Sequence, residues 1–131
     1  MYDGLYQIAY ESQYSLARVS STLETLRNII LISKTNNARM SITGALIFDG
    51  HKFLQILEGK QQDVESTYAR INADTRHRES RIILSRYVQL RDFSDWSMGG
   101  FLQTVPISVN ITGEEALEMA KKLMASRRAL S

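Results

Sequence analysis

Apolar and polar positions alternate from Leu5 to Glu11. Tyr6, Ile8 and Tyr10 share one face, and Leu5, Gln7, Ala9 and Glu11 share the other, which predicts a strand. A polar loop is expected from Ser12 to Ser20. The period then changes to that of a helix. Ser21-Thr22-Leu23-Glu24 fits a capping box, and Leu23, Leu26, Ile29, Ile30 and Ser33 recur at helical spacing. This helix is expected to run to about Thr35 and to end at Asn36-Asn37, because Asn tolerates the left-handed conformation used at helix ends. Ile42 to Phe48 is apolar and β-prone. Asp49-Gly50 is a two-residue turn signal, and His51 to Glu58 follows as the partner strand of an antiparallel hairpin. Gly44 interrupts the first of these strands and marks either a packing need or the close approach of a backbone or ligand.

In the second hairpin strand, Phe53, Gln55 and Leu57 point one way and Leu54, Ile56 and Glu58 the other. After Gly59, Val64, Tyr68 and Ile71 form the stripe of a helix over residues 61–74, and the polar run Asp74-Thr75-Arg76-His77-Arg78 is expected to end it. Ile82 to Leu90 reads as a fourth strand and Trp96 to Leu102 as a short fifth strand weakened by its glycines. Residues 104–110 read as a linker. Thr112-Gly113-Glu114-Glu115 opens a capping box for a last helix striped by Ala116, Leu117, Ala120, Leu123 and Met124, with Arg127 and Arg128 suited to its negative end.

The order β-α-β-β-α-β-β is that of an α+β ferredoxin-like sandwich: an antiparallel sheet with two helices on one face, plus a C-terminal helix. The expected division is a domain over 1–103, and a linker and amphipathic helix over 104–131 that pack on the sheet or on a partner. Composition fits one soluble domain: 131 residues, 44% hydrophobic and 23% charged. The net charge of +2 comes from scattered basic residues, which is no nucleic-acid footprint. Without Cys, and with only His51 and His77, neither a disulfide nor a metal site is expected. No signal peptide and no membrane span are expected, so a cytoplasmic location is the default.

Gln55 changes the picture. It lies between Phe53 and Leu57 on a face that should be buried, where an amide needs partners. In a ferredoxin-like sheet the first and third strands are central neighbours, so Tyr10, Gln55 and Asn37 would converge between sheet and helices. A phenol and two carboxamides suit the edge of a flat heteroaromatic ring.

The motifs Leu5-Tyr6-Gln7-Ile8-Ala9-Tyr10, Asn37-Ala38-Arg39, Ile42-Thr43-Gly44-Ala45-Leu46, Phe53-Leu54-Gln55-Ile56-Leu57-Glu58-Gly59, Asp74-Thr75-Arg76-His77 and Trp96-Ser97-Met98 resemble those of BLUF domains, bacterial blue-light sensors that use flavin. The resemblance covers about residues 4–102. It implies a noncovalently bound oxidised flavin, FAD with FMN or riboflavin as alternatives, and a sensor rather than an enzyme. Tyr10 matches the photoactive tyrosine and Gln55 the glutamine beside it. Asn37 matches the asparagine on the flavin's C4 carbonyl and N3–H edge, with Asn36 near the ring. Asp74, Arg76 and His77 match polar residues near the pyrimidine edge and ribityl chain, and Ile29, Phe53 and Ile71 the apolar walls. Trp96 and Met98 match the pair on the fifth strand; two apart, they are expected to share a face. The implied mechanism is a light-driven transfer of an electron from Tyr10 with a proton following through Gln55. Gln55 is then left rearranged by rotation or tautomerisation. With no output domain expected within the chain, the signal would pass to a downstream protein, to an output domain or through a homo-oligomer. The rival readings are a small hydrolase of the acylphosphatase type and an RNA-recognition module. The first needs an anion-cradling loop, and 12–20 lacks the usual glycines. The second needs exposed aromatics on the central strands.

Overall fold

Tyr10 stands opposite Gln55, and Ile8 opposite Leu57, in an antiparallel ladder that holds the centre of a five-stranded sheet. The computed structural model of the protein describes residues 4–14, 22–94, 96, 98–103 and 105–126. Its elements are β1 (Leu5–Tyr14), α1 (Thr22–Met40), β2 (Thr43–Phe48), β3 (Lys52–Gly59), α2 (Gln61–Asn72), β4 (His77–Val88), β5 (Gly99–Leu102) and α3 (Gly113–Ser126). The sheet order is β4-β1-β3-β2-β5. The first four strands pair antiparallel, as the ferredoxin-like order requires, whereas β5 joins β2 in parallel and makes the sheet mixed rather than antiparallel throughout.

The β2–β3 hairpin turns where the Asp-Gly pair predicts it. Gly50 has φ 95°, and the Asp49 carboxylate accepts the backbone N–H groups of His51 (2.9 Å) and Lys52 (2.7 Å). Gly44 is required by close approach of backbone: a Cβ there would lie 1.9 Å from the carbonyl oxygen of Ile56.

Alternation along β1 and β3 splits the core in two. Ile8, Tyr10, Phe53 and Leu57 pack beneath Leu26, Ile29 and Ile30 of α1 and Val64 of α2, with Tyr68 and Ile71 at the margin. Ala9, Leu54 and Ile56 face the other way and pack with Ala116, Leu117 and Ala120 of α3. The second sheet face is thus covered by the last helix. Its capping box forms as predicted: the Thr112 N–H donates to the Glu115 carboxylate at 2.9 Å, and the Glu115 N–H to the Thr112 hydroxyl at 3.1 Å. Ser21, the N-cap predicted for the first helix, lies outside the described residues, as do Arg127 and Arg128.

Several boundaries differ from the sequence expectation. Asn36 and Asn37 lie within α1, which continues to Met40; the left-handed residue that ends it is Ser41, φ 55°. The run from Met40 carries its own anchors, since Met40 packs at the margin of the first core and Ile42 within it. Ser12 to Tyr14 extend β1 instead of opening a loop, because Gln13 and Tyr14 pair with Arg78 and His77. The polar run from His77 is therefore the start of β4, an edge strand most of whose side chains are partly or fully exposed, so apolar alternation is weak there. The β1–β4 register shifts between Ala9 and Tyr10 and again between Glu11 and Gln13. β5 begins only at Gly99, so Trp96 and Met98 precede it.

Candidate functional site

Helices α1 and α2 part over β3, and the cleft between them is lined by Ile29, Asn36 and Asn37 of α1, Gln55 of β3, Ile71 of α2, the turn residues Asp74 and Arg76, and His77 at the start of β4. Eight of the residues singled out in the sequence therefore meet in one place. Ile32, Ser33, Thr67 and Arg70 also line it and were missed; Ser33 carried a signal, as a polar residue on the apolar stripe of α1.

Tyr10 stands behind Gln55. Its ring is fully buried, and its hydroxyl donates to Gln55 Oε1. The Tyr68 ring meets it edge-on, centroids 4.8 Å apart. Burial pushes the Tyr10 phenol well above its ordinary pKa, and the nearby Tyr68 and Asp74 push the same way, so it is a neutral donor. On its other side, Gln55 Nε2 donates to Met98 Sδ at 3.4 Å. A buried phenol, a carboxamide and a thioether thus form one hydrogen-bonded row that meets the cleft at Gln55. The buried Gln55 amide has partners on both ends, as burial demands.

Trp96 does not share this environment. Met98 is buried in the first core, while Trp96 packs on the second face with its ring 5.9 Å from that of Phe101. The expectation of a shared face fails because the two residues precede β5, where strand alternation does not apply. The Trp96 carbonyl accepts the N–H of Gly44 at 3.0 Å, and Gly99 is needed beside it: a Cβ there would meet the indole at 2.1 Å.

The turn after α2 closes one end of the cleft. Arg76 grips Asp74 through Nε (3.0 Å) and Nη2 (2.6 Å), and its Nη1 reaches Asn28 of α1 at 2.7 Å. Arg76 therefore ties the turn after α2 to α1, with Asn28 a partner that spacing did not announce. The Arg76 guanidinium holds the Asp74 carboxyl below the usual carboxylate range, against the opposing effect of partial burial. His77 is buried, shares a 2.8 Å hydrogen bond between Nδ1 and Ser12 Oγ, and lies 4.3 Å, centroid to centroid, from Phe53. Burial lowers its pKa to about 4, and Arg76 pushes the same way while Asp74 opposes, so the imidazole is neutral near pH 7. Phe53 itself lies beneath His77 and stacks on Phe48 at 4.3 Å.

The donor set suits a flat, polar-edged ring. Carboxamides from Asn36, Asn37 and Gln55 can each both donate and accept, and Ile29 and Ile71 supply apolar walls. Such a cleft defines a ferredoxin-like α+β domain built to hold an aromatic cofactor. The chain belongs to the BLUF family, sensors of blue-light using FAD, whose profile matches residues 5–99. It is 30% identical over 81 residues to the blue light- and temperature-regulated antirepressor BluF of Escherichia coli (strain K12), covering 62% of this chain and 20% of that protein. The photoactivated adenylate cyclase subunit alpha of Euglena gracilis is 25% identical over 75 residues, 57% of this chain and 7% of that one. Among solved structures, the dark state of BlrB, a BLUF protein, superposes with a TM-score of 0.71 at 27% identity, over 95% of this chain and 84% of that one. The chain thus spans a fifth or less of the curated relatives named here. It is a flavin-binding blue-light sensor domain, and nothing in these matches supports the acylphosphatase reading. No helix among the described residues is long and apolar enough to cross a membrane.

Proposed function

We propose that Tyr10, Gln55 and Met98 are the moving parts of the light switch. The observation that carries this is their hydrogen-bonded row, which meets the cleft at Gln55. Asn37 and Asn36 would hold the polar edge of the ring, Ile29 and Ile71 its faces, and the Asp74–Arg76 turn the end of the cleft toward the side chain of the flavin. FAD is the proposed flavin, in keeping with the family's description; FMN and riboflavin share the ring that these residues would read.

The bound flavin supplies absorption of blue light and an electron-accepting ring. Tyr10 is a neutral phenol whose proton already points at Gln55 Oε1. A phenol that has lost an electron is strongly acidic, so its proton leaves along that bond. Gln55 has a carbonyl toward Tyr10 and an NH2 toward Met98. Turning the amide over exchanges those ends, places a donor against the phenol and leaves Met98 Sδ without its donor. The electron and the proton held on Gln55 Oε1 return to Tyr10 before the amide turns over, so the cycle closes with no net oxidation and the turned amide is what remains.

The outgoing signal would leave through the Met98 loop and β5. We propose that it is read by a downstream protein, by an output domain or by a second copy of the chain, and that this chain itself catalyses no reaction. The absorption spectrum tests the reading. Purified protein with FAD should be yellow and should show a small reversible red shift of the flavin bands after blue light. A colourless protein that rejects added FAD would overturn it, and flavin bands that ignore light would overturn the switch.

A further inference from the structure

Glu58 is buried on the face of β3 opposite Gln55, and both its oxygens are fully engaged. Oε1 accepts the Thr43 hydroxyl at 2.8 Å and the Phe93 N–H at 2.7 Å. Oε2 accepts Gln7 Nε2 and the Asp92 N–H, each at 3.0 Å. A carboxylate is costly to bury, and here two of its four donors are backbone groups of a single loop. That loop leads directly to the switch. The Trp96 N–H donates to the Phe93 carbonyl at 3.0 Å, the Trp96 carbonyl accepts the Gly44 N–H at 3.0 Å, and Met98 then reaches Gln55.

We infer that Glu58 is a positioning residue: its carboxylate fixes the loop that delivers Met98 Sδ to the Gln55 amide. The inference rests on the reading of Gln55 as the switch. It assigns β3 two jobs on its two faces, one to carry the amide that turns and one to hold the group that amide leaves. Arg91 supports the same joint, donating through Nη1 to the Glu58 backbone carbonyl at 3.1 Å and to Thr43 Oγ1 at 2.9 Å.

Glu58→Gln is a discriminating change. Each carboxylate oxygen takes two donors, so whichever way a replacement amide is turned, its NH2 faces two other donors. One end of the loop must let go. In FAD-loaded Glu58→Gln, hydrogen exchange at the Asp92, Phe93 and Trp96 amides should rise by about tenfold or more, while β1 and β3 amides keep their protection. The rate of dark recovery after a blue-light pulse should change by about threefold or more when Met98 is present, and by less than about twofold in a Met98→Leu background, because residues acting through one contact are non-additive. Equal factors in the two backgrounds, or unchanged exchange, would overturn the assignment while leaving the switch intact. A wild-type chain that does not respond to light would instead overturn the switch, and the assignment with it. If Glu58→Gln does not fold, Thr43→Val removes one donor to the carboxylate and should show the same non-additivity with Met98→Leu; additive rates there would equally overturn it.

Discussion

Tyr10 and Gln55 are cross-strand neighbours in the β1–β3 ladder, and the phenol of one donates to the amide carbonyl of the other. The pairing register sets the two residues directly opposite each other in the sheet.

Tyr10→Phe keeps the ring and removes the proton that Gln55 accepts. It should retain bound flavin and lose the light-induced red shift. One lost hydrogen bond in the core should cost about 1–3 kcal/mol of stability, since it also leaves a buried carbonyl unmet. A light-minus-dark spectrum and a urea titration measure the two effects; a normal shift would remove Tyr10 from the switch.

Asn37 is buried in the cleft wall, on the inner side of α1. Asn37→Ala should weaken FAD binding by about 1–3 kcal/mol, or roughly five- to 150-fold in Kd, as expected for a buried polar edge left unmet. Fluorescence titration of the apoprotein gives the value, and unchanged affinity would assign the ring edge to other residues.

His77 predicts an acid-side loss of stability. Its folded pKa, near 4, lies below the ordinary value of 6.5, so the unfolded chain takes up the proton first as pH falls. The unfolding free energy should therefore decline between about pH 6.5 and pH 4, by about 3 kcal/mol at most. Asp74 and Glu11 act at the lower end. Arg76 holds the Asp74 carboxyl down; burial would raise that of Glu11, but Lys52 and Arg81 outweigh it, so both sites lose stability as their carboxylates protonate. Denaturant midpoints across pH, with His77→Gln as control, test this: the control should be flat from pH 6.5 to 5.

Gly44→Ala should be among the most damaging small substitutions in the sheet. The added methyl would strike the Ile56 carbonyl, a backbone atom within a paired strand. About 3 kcal/mol, the upper end of overpacking costs, is expected in the urea-derived stability. A near-neutral result would show that β2 can shift away from β3.

The parts of this architecture that were legible in the sequence are those governed by local period and turn chemistry. Alternation in β1 and β3 grouped Tyr10 with Ile8 and Gln55 with Phe53 and Leu57, the ferredoxin-like order made those strands neighbours, and Asp49-Gly50 marked the hairpin. Where two local tendencies compete, the tertiary one wins. Asn36-Asn37 is a plausible helix end in isolation, yet α1 runs on to Met40, whose side chain has a place at the core margin. β4 begins earlier than its apolar run because an edge strand needs no apolar alternation to pair. The opposite placement of Trp96 and Met98, and the grip of Glu58 on Asp92 and Phe93, depend on a loop whose path is set by distant partners. No local pattern encodes such pairings.

Among the described residues, β5 pairs only with β2. The strands bearing Tyr10 and Gln55 are each flanked on both sides without it: β1 by β4 and β3, β3 by β1 and β2. Peeling β5 away would therefore leave both with all their ladders. On the proposed route the outgoing strand is joined to the chamber through Met98, while the ladders that hold Tyr10 and Gln55 stand apart from it.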